Sequence, residues 1–250
     1  MSEPVFLPGA TLGLMGGGQL GRMTAIAARR MGYRVHSFSP DTDTPSGHLA
    51  DREVAAAYTD EAAVRDFARQ VDVLTFEFEN IPVQCVEWAA EECVVRPAGT
   101  VLHICQHRLR EKEFLARNGF PLPPFRKVEN AEELVRAAAE AGLPAVLKSA
   151  AFGYDGKGQR KLAPGDDLAA AWEPFSGAAA VLEGFVSFEK EISVLVARGL
   201  DGRCMTYPVC ENVHANHILD VTLVPGRVAP EVGEAARKLA VEIADAIGLV

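Results

Sequence analysis

The residues best suited to chemistry lie in the middle of the chain. Lys148 closes the apolar run Ala145-Val146-Leu147, and Gly153-Tyr154-Asp155-Gly156-Lys157-Gly158-Gln159 follows after a short spacer. Three glycines in six residues, with one lysine inside and one ahead, describe a pliable loop between two strands. Its backbone N–H groups and ammonium charges suit a polyphosphate. No G-K-[ST] opens a helix here, so the loop is not a Walker A motif. A flexible hairpin with solvated lysines is the plainer alternative. Further on, Glu183-Gly184-Phe185-Val186 ends an apolar strand, and Glu191 stands eight residues after Glu183. A strand end of this kind can offer backbone groups to an adenine edge, and a carboxylate one hairpin later can accept two ribose hydroxyls. Taken alone, an acidic surface hairpin explains the same residues.

A second constellation lies near the N-terminus. Gly16-Gly17-Gly18-Gln19-Leu20-Gly21 fits G-x-G-x-x-G between a strand and a helix, where N–H groups and a helix N-terminus can face an anion. Dinucleotide binding is one reading, but the ribose-binding acid fits poorly, because Asp41 lies beyond the strand-breaking Pro40. In Thr75-Phe76-Glu77-Phe78-Glu79-Asn80, the two glutamates alternate with phenylalanines. That spacing predicts both carboxylates on one face at the C-terminal end of a strand, where parallel sheets meet ligands. Solvation at a sheet edge is the alternative. His214 and His217 are three apart without a third ligand and read as loop or core residues.

The elements that must position these groups alternate first. Strands are expected at Thr11–Met15, Arg34–Phe38 and Val71–Phe78, with helices at Leu20–Arg30 and Glu61–Arg69. The first helix carries Leu20, Met23, Ala27 and Ala28 at helical spacing. Alternation of this kind implies an α/β unit with a parallel, doubly wound sheet. After Arg96-Pro97 the pattern changes: a charged helix His107–Asn118, then an extended Pro121–Pro124 connector. Asn130 with Glu133 opens a helix that Gly142 closes. Strands Ala145–Ser149 and Gln159–Leu162 flank the loop, and a helix follows near Asp167–Trp172. Strands near Ala179–Val186 and Glu191–Arg198 come next, then more β over Met205–Val224. Last is a helix Glu231–Ile247 with Val232, Ala236, Leu239, Ile243 and Ile247 on one side. This second section reads as α+β.

Composition narrows the function classes. With 25 Lys+Arg against 34 Asp+Glu the formal charge is −9, which argues against a duplex-binding module and predicts no nucleic-acid partner. No apolar run reaches the length of a membrane span, and Met1–Pro8 lacks the layout of a signal peptide. Five scattered cysteines read as reduced thiols, so a cytoplasmic location is expected.

Taken together the motifs resemble the ATP-grasp superfamily, and within it the N5-carboxyaminoimidazole ribonucleotide synthetase family of purine biosynthesis. The matching stretches are GGGQLGRM (Gly16–Met23), TFEFENIP (Thr75–Pro82), RLREK (Arg108–Lys112), VLKSAAFGYDGKGQ (Val146–Gln159) and EGFVSFEKEISVLVAR (Glu183–Arg198). They occur in the family's order. Gln19 favours this family over the related formate-dependent glycinamide ribonucleotide transformylases, where an acid is expected at that place. His107 departs from the pattern, which has an acid before Arg108.

The resemblance implies a Rossmann-like pre-ATP-grasp domain over 1–117, an α+β ATP-grasp lid over 118–187 and the start of the large ATP-grasp subdomain over 188–250. It implies ATP and Mg2+ as cofactors, 5-aminoimidazole ribonucleotide and bicarbonate as substrates, and a homodimer. Arg108 and Lys148 would contact ATP phosphates, with Gly153, Tyr154, Asp155, Gly156, Lys157, Gly158 and Gln159 closing over them. Glu183, Gly184, Phe185 and Val186 would line the adenine, Glu191 would bind ribose, and His214 would join the nucleotide site. Gln19, Leu20, Glu77 and Glu79, with Tyr154 and Asp155, would approach the aminoimidazole ribonucleotide. The resemblance assigns no catalytic residue and no metal ligand in this chain, the family's metal ligands being expected beyond Val250. A non-catalytic ATP-binding module is therefore the second expectation.

Overall fold

Strand alternation organises the N-terminal unit. The computed structural model describes residues 4–151, 158–216 and 218–250. In order come β1 (Thr11–Met15), α1 (Gln19–Arg30), β2 (Arg34–Ser39), β3 (Arg52–Ala55), α2 (Glu61–Ala68), β4 (Val73–Phe76), α3 (Val83–Ala90), β5 (Val94–Val95) and α4 (Gly99–Cys105). The strands form one parallel sheet in the order β3-β2-β1-β4-β5. Successive side chains leave a strand on opposite faces. Leu14 and Val35 accordingly pack against Ala25 and Ala28 of α1, while Met15, Phe38 and Leu74 pack against Phe67 of α2 and Val86 of α3. The doubly wound α/β expectation holds. Strand order reverses between β1 and β4, whose ends Met15 and Phe76 are register partners. That reversal is where open α/β sheets bind ligands, and both N-terminal motifs begin at it.

Three local expectations are corrected in this unit. β4 stops at Phe76, so Glu77 and Glu79 follow the strand and do not share one of its faces. The buried face of α1 is Gly21, Ala25 and Ala28, whereas Leu20 and Met23 point outward. Small side chains let the helix lie close to the sheet, an effect that apolar spacing alone does not reveal. The strands β3 and β5 and helices α3 and α4 carry too few alternating or periodic residues to be anticipated.

One compact unit runs to His103 and a second spans Ile104–Leu249. The second begins with α5 (Arg108–Arg117), placed by expectation in the first domain. Leu109 of this helix is buried with Ala150 and Val181, which explains its membership of the second unit. There follow β6 (Phe125–Val128), α6 (Ala131–Ala141), β7 (Ala145–Ser149), β8 (Gln159–Leu162), α7 (Leu168–Trp172) and β9 (Ala180–Gly184). These strands make an antiparallel sheet in the order β6-β9-β7-β8. α6 starts as anticipated: Asn130 Oδ1 accepts the Glu133 N–H at 2.9 Å and Glu133 reaches back to the Glu129 N–H at 2.8 Å. Leu134, Ala137 and Ala138 of α6 and Trp172 of α7 pack on Ala145, Leu147, Ala180 and Leu182, one face of the sheet.

The remainder is β10 (Glu191–Ser193), β11 (Val196–Arg198), β12 (Cys204–Thr206), β13 (Cys210–Ala215), β14 (Ile218–Leu223) and α8 (Pro230–Ile247). The single strand expected over Glu191–Arg198 is two strands. Ser193 pairs with Cys210 and Val196 with Thr206, so the chain changes sheets across Val194 and Leu195. On α8 the expected apolar side is half-buried at Ala236, Leu239, Ile243 and Ile247, but Val232 is exposed. Among the described residues no helix is long and apolar enough to cross a membrane.

One ion pair ties this last section together. Glu211 of β13 is buried and accepts from the Arg227 backbone N–H at 2.9 Å and from its guanidinium at 2.8 and 3.1 Å. Arg227 thereby holds the Glu211 carboxyl down at about 2. A depressed carboxylate pKa stabilises the folded state above the ordinary value and loses that contribution as pH falls through the folded one. Thermal unfolding followed by circular dichroism is expected to show Glu211→Gln less stable at neutral pH. The variant should also lack the part of the acid destabilisation that falls between pH 4.5 and 2.

Candidate functional site

In the first unit the glycine loop is organised by a carboxylate of its own chain. Glu77 emerges from the end of β4, its N–H bonded to the Met15 carbonyl at 3.0 Å. Its Oε1 accepts the Gly18 N–H at 2.6 Å and its Oε2 accepts the Gly21 N–H. A carboxylate at a helix N-terminus satisfies orphan donors and complements the dipole. Glycine is required by that approach. A Cβ on Gly16 would sit 2.2 Å from Glu77 Cγ, and one on Gly21 would sit 2.8 Å from Oε2. Gly16 also has φ +121°, which side chains rarely adopt. Buried Ser46 completes the support, donating its hydroxyl to the Gly16 carbonyl at 3.0 Å.

This geometry overturns the dinucleotide reading of Gly16–Gly21. The N–H groups that a pyrophosphate would need are engaged by a negative charge. Gln19 and Leu20 open α1 with exposed side chains, so they remain available to a ligand. Glu79 is exposed in the segment after β4.

In the second unit, strand parity builds a cationic cluster. Val181 faces α5, so Glu183 two residues later faces the same way; on β7, Lys148 lies on the face opposite buried Leu147. Lys148 Nζ meets Glu183 Oε2 at 2.9 Å. Lys112, reaching in from α5, meets Glu183 Oε1 at 3.2 Å and lies 5.9 Å from the centre of the Phe125 ring. Arg108, one turn before Lys112, donates its guanidinium to the Ser149 carbonyl, and its own N–H bonds the Ala150 carbonyl at 2.7 Å. The structure thus places Lys148, expected at the phosphates, against Glu183, expected at the adenine, with Arg108 bonded to the end of the strand that carries Lys148. Lys112 had no anticipated role. The signal was present in Arg108-Leu109-Arg110-Glu111-Lys112, where positions four apart share a helix face.

Gly153, Tyr154, Asp155, Gly156 and Lys157, with His217, lie outside the described residues. The loop's exit is described: the Gly158 carbonyl accepts the Ser149 N–H at 2.7 Å, and Gln159 pairs with Lys148 across the hairpin. At the end of β9, the Gly184 N–H donates to the Pro124 carbonyl at 2.8 Å and the Phe185 N–H to the Pro144 carbonyl at 3.2 Å. Those two donors, expected to face an adenine edge, are committed inside the fold. Phe185 and Val186 expose their side chains, and Lys161 Nζ stands 4.0 Å from the Phe185 ring centre. On the neighbouring sheet, Glu191 Oε1 and His214 Nε2 are 3.6 Å apart, beside a register shift between Val213 and His214. Two residues expected at one nucleotide site therefore do meet.

The geometry agrees with the comparisons to known proteins. The ribonucleotide synthetase preATP-grasp domain matches residues 9–106 and the ATP-grasp domain matches residues 113–250. The N5-carboxyaminoimidazole ribonucleotide synthase of Brucella melitensis is 40% identical, covering 100% of this chain and 70% of that protein. The chain belongs to the N5-carboxyaminoimidazole ribonucleotide synthase family. A solved ADP complex of purK, an N5-carboxyaminoimidazole ribonucleotide synthetase, superposes with TM-score 0.95 at 40% identity over 98% of this chain and 65% of that one. An Aspergillus clavatus synthase in complex with ADP and 5-aminoimidazole ribonucleotide has TM-score 0.85 at 26% identity, over 96% of this chain and 63% of that one. The chain spans about two thirds of the length of these relatives.

The family's glycine motif thus carries a testable internal contact in this chain. Gly16→Ala is expected to lose more than about 2 kcal/mol of stability, from strain plus the clash with Glu77. Gln19→Ala, at an exposed position, is expected to stay within about 0.5 kcal/mol. Denaturant unfolding of both variants checks the difference.

Proposed function

We propose that the protein takes part in ATP-dependent carboxylation of 5-aminoimidazole ribonucleotide to N5-carboxyaminoimidazole ribonucleotide. The γ-phosphoryl group of ATP passes to a bicarbonate oxygen, giving ADP and carboxyphosphate. The exocyclic amine of the ribonucleotide then takes up the carboxyl group, forming a carbamate N–C bond while phosphate leaves. Positioning and charge neutralisation supply most of the catalysis in such a phosphoryl transfer. The observation that carries the reading is the cluster of Arg108, Lys148 and Glu183, on the strand that precedes the glycine-rich sequence and the elements packed on it, in a chain of this family.

In this reading Arg108 and Lys148 neutralise ATP phosphates, and the segment Gly153–Gln159 covers them. Glu183, Gly184, Phe185 and Val186 border the adenine, with Glu191 accepting ribose hydroxyls and His214 beside it. Gln19, Leu20, Glu77 and Glu79 are assigned to the aminoimidazole ribonucleotide. Mg2+ is expected of the reaction. Among the described residues no group of three or more His, Cys, Asp or Glu side chains is arranged to hold a metal ion. No step is assigned to a metal ion. The same reading expects a cytoplasmic homodimer, which sedimentation addresses for its oligomeric state.

The test is to supply the chain with ATP, Mg2+, bicarbonate and 5-aminoimidazole ribonucleotide and measure phosphate. Release that depends on the ribonucleotide is expected; ATP binding without release favours a non-catalytic module. A thermal shift with NAD(P) and none with ATP overturns both. Lys148→Ala is expected to weaken ATP binding by about 1–3 kcal/mol, the scale of a lost charge-assisted contact. Calorimetric titration reads this, and unchanged affinity removes Lys148 from the site.

A further inference from the structure

Glu183 is a carboxylate with two ammonium partners, one on each oxygen, and the two lysines are not equivalent. Lys112 has 12% of its side chain exposed and Lys148 has 26%, while Glu183 has 9%. Lys112 comes from a helix and rests beside Phe125; Lys148 stands at the end of the strand that enters the glycine-rich loop. One carboxylate against two ammoniums leaves a surplus positive charge, with Arg108 and Glu111 as the other charged groups around it.

We propose that Lys112 is a positioning residue for nucleotide binding: it keeps Glu183 neutralised, so that the charge of Lys148 is available to a phosphate. The inference rests on the assignment of Lys148 to ATP and goes beyond it. A withdrawn carboxylate stripped of its only partner is costly. With Lys148 alone, Glu183 would hold that ammonium and cancel its charge. With Lys112 in place, Lys148 can turn its donors toward an incoming phosphate while Glu183 stays paired. An ammonium, unlike a guanidinium fork, is a point charge on a flexible stem and can make this exchange. Lys112 itself touches no nucleotide.

The test is a double-mutant cycle on the whole chain, with ATP affinity read by calorimetry. Lys112→Gln is expected to weaken ATP binding at least about tenfold when Glu183 is present, and less than about threefold in a Glu183→Gln background. The second pair contains no unpaired carboxylate, so it remains informative if Lys112→Gln alone folds poorly. Lys112→Arg, which preserves the charge, is expected to bind ATP within about threefold of the starting chain. Equal losses in both backgrounds would mean that Lys112 contacts the nucleotide or merely supports the fold, and would overturn the proposal. So would an undiminished affinity in Lys112→Gln while Lys148→Ala is weakened, a result that leaves the ATP assignment standing. Unchanged affinity in Lys148→Ala overturns the ATP assignment and this inference with it.

Discussion

A carboxylate drawn out of water must be matched by donors or cations where it lies, and both units are arranged around that requirement. In the first, Glu77 is matched by the N–H groups of Gly18 and Gly21. In the second, Glu183 is matched by Lys112 and Lys148. Each pairing joins segments that are distant in sequence, the end of β4 to the start of α1 and the end of β9 to α5 and β7. The glycine loop and the cationic cluster take their shape from these matches. Gln19 and Leu20 are left exposed in one unit, and the other holds one ammonium more than Glu183 needs.

The glycine loop shows why a motif needs its surroundings before it means anything. Its spacing is that of a phosphate-binding turn, and its backbone donors are the same. What differs is the neighbouring strand. β4 ends one residue before Glu77, and the chain bends so that the carboxylate enters the place an anionic ligand would take. The glycines are then required by proximity to that side chain, as the 2.2 Å approach at Gly16 makes plain. An internal anion at a helix N-terminus repels phosphate and favours ligand amines or hydroxyls nearby.

Much of this was legible from residue order. The alternation of strands Thr11–Met15, Arg34–Phe38 and Val71–Phe78 with helices exposed the parallel sheet, and Asn130, Glu133 and Gly142 marked both ends of α6. Lys148 stood out because a charged residue closes an apolar strand ahead of glycines, whereas Arg108 was singled out only by the family resemblance and Glu183 alone read equally as a surface hairpin. Other features are set by contacts between remote segments. Nothing local says that β4 stops at Phe76, that Glu77 turns toward Gly18, or that Val194 and Leu195 carry the chain between sheets. Lys112 shares a helix face with Arg108, but a lysine on a charged helix normally faces water, so the spacing alone gave it no role. Only the packing of Leu109 on Val181 turns that face of α5 toward Glu183.

Glu183 and Glu211 show two ways of pairing a buried carboxylate. Both carboxylates are buried, and both have two cations within reach. Glu211 receives a planar guanidinium on both oxygens and a backbone N–H from the same residue, so the match is rigid and local. Moving Arg227 away would break several hydrogen bonds at once. Glu183 is instead held by two separate ammoniums on different elements, each with further donors to direct elsewhere. One can move without abandoning the carboxylate. The two carboxylates thus differ in the kind of partner and not in their number: a guanidinium and a backbone N–H from one residue hold Glu211, and two ammoniums from separate elements hold Glu183.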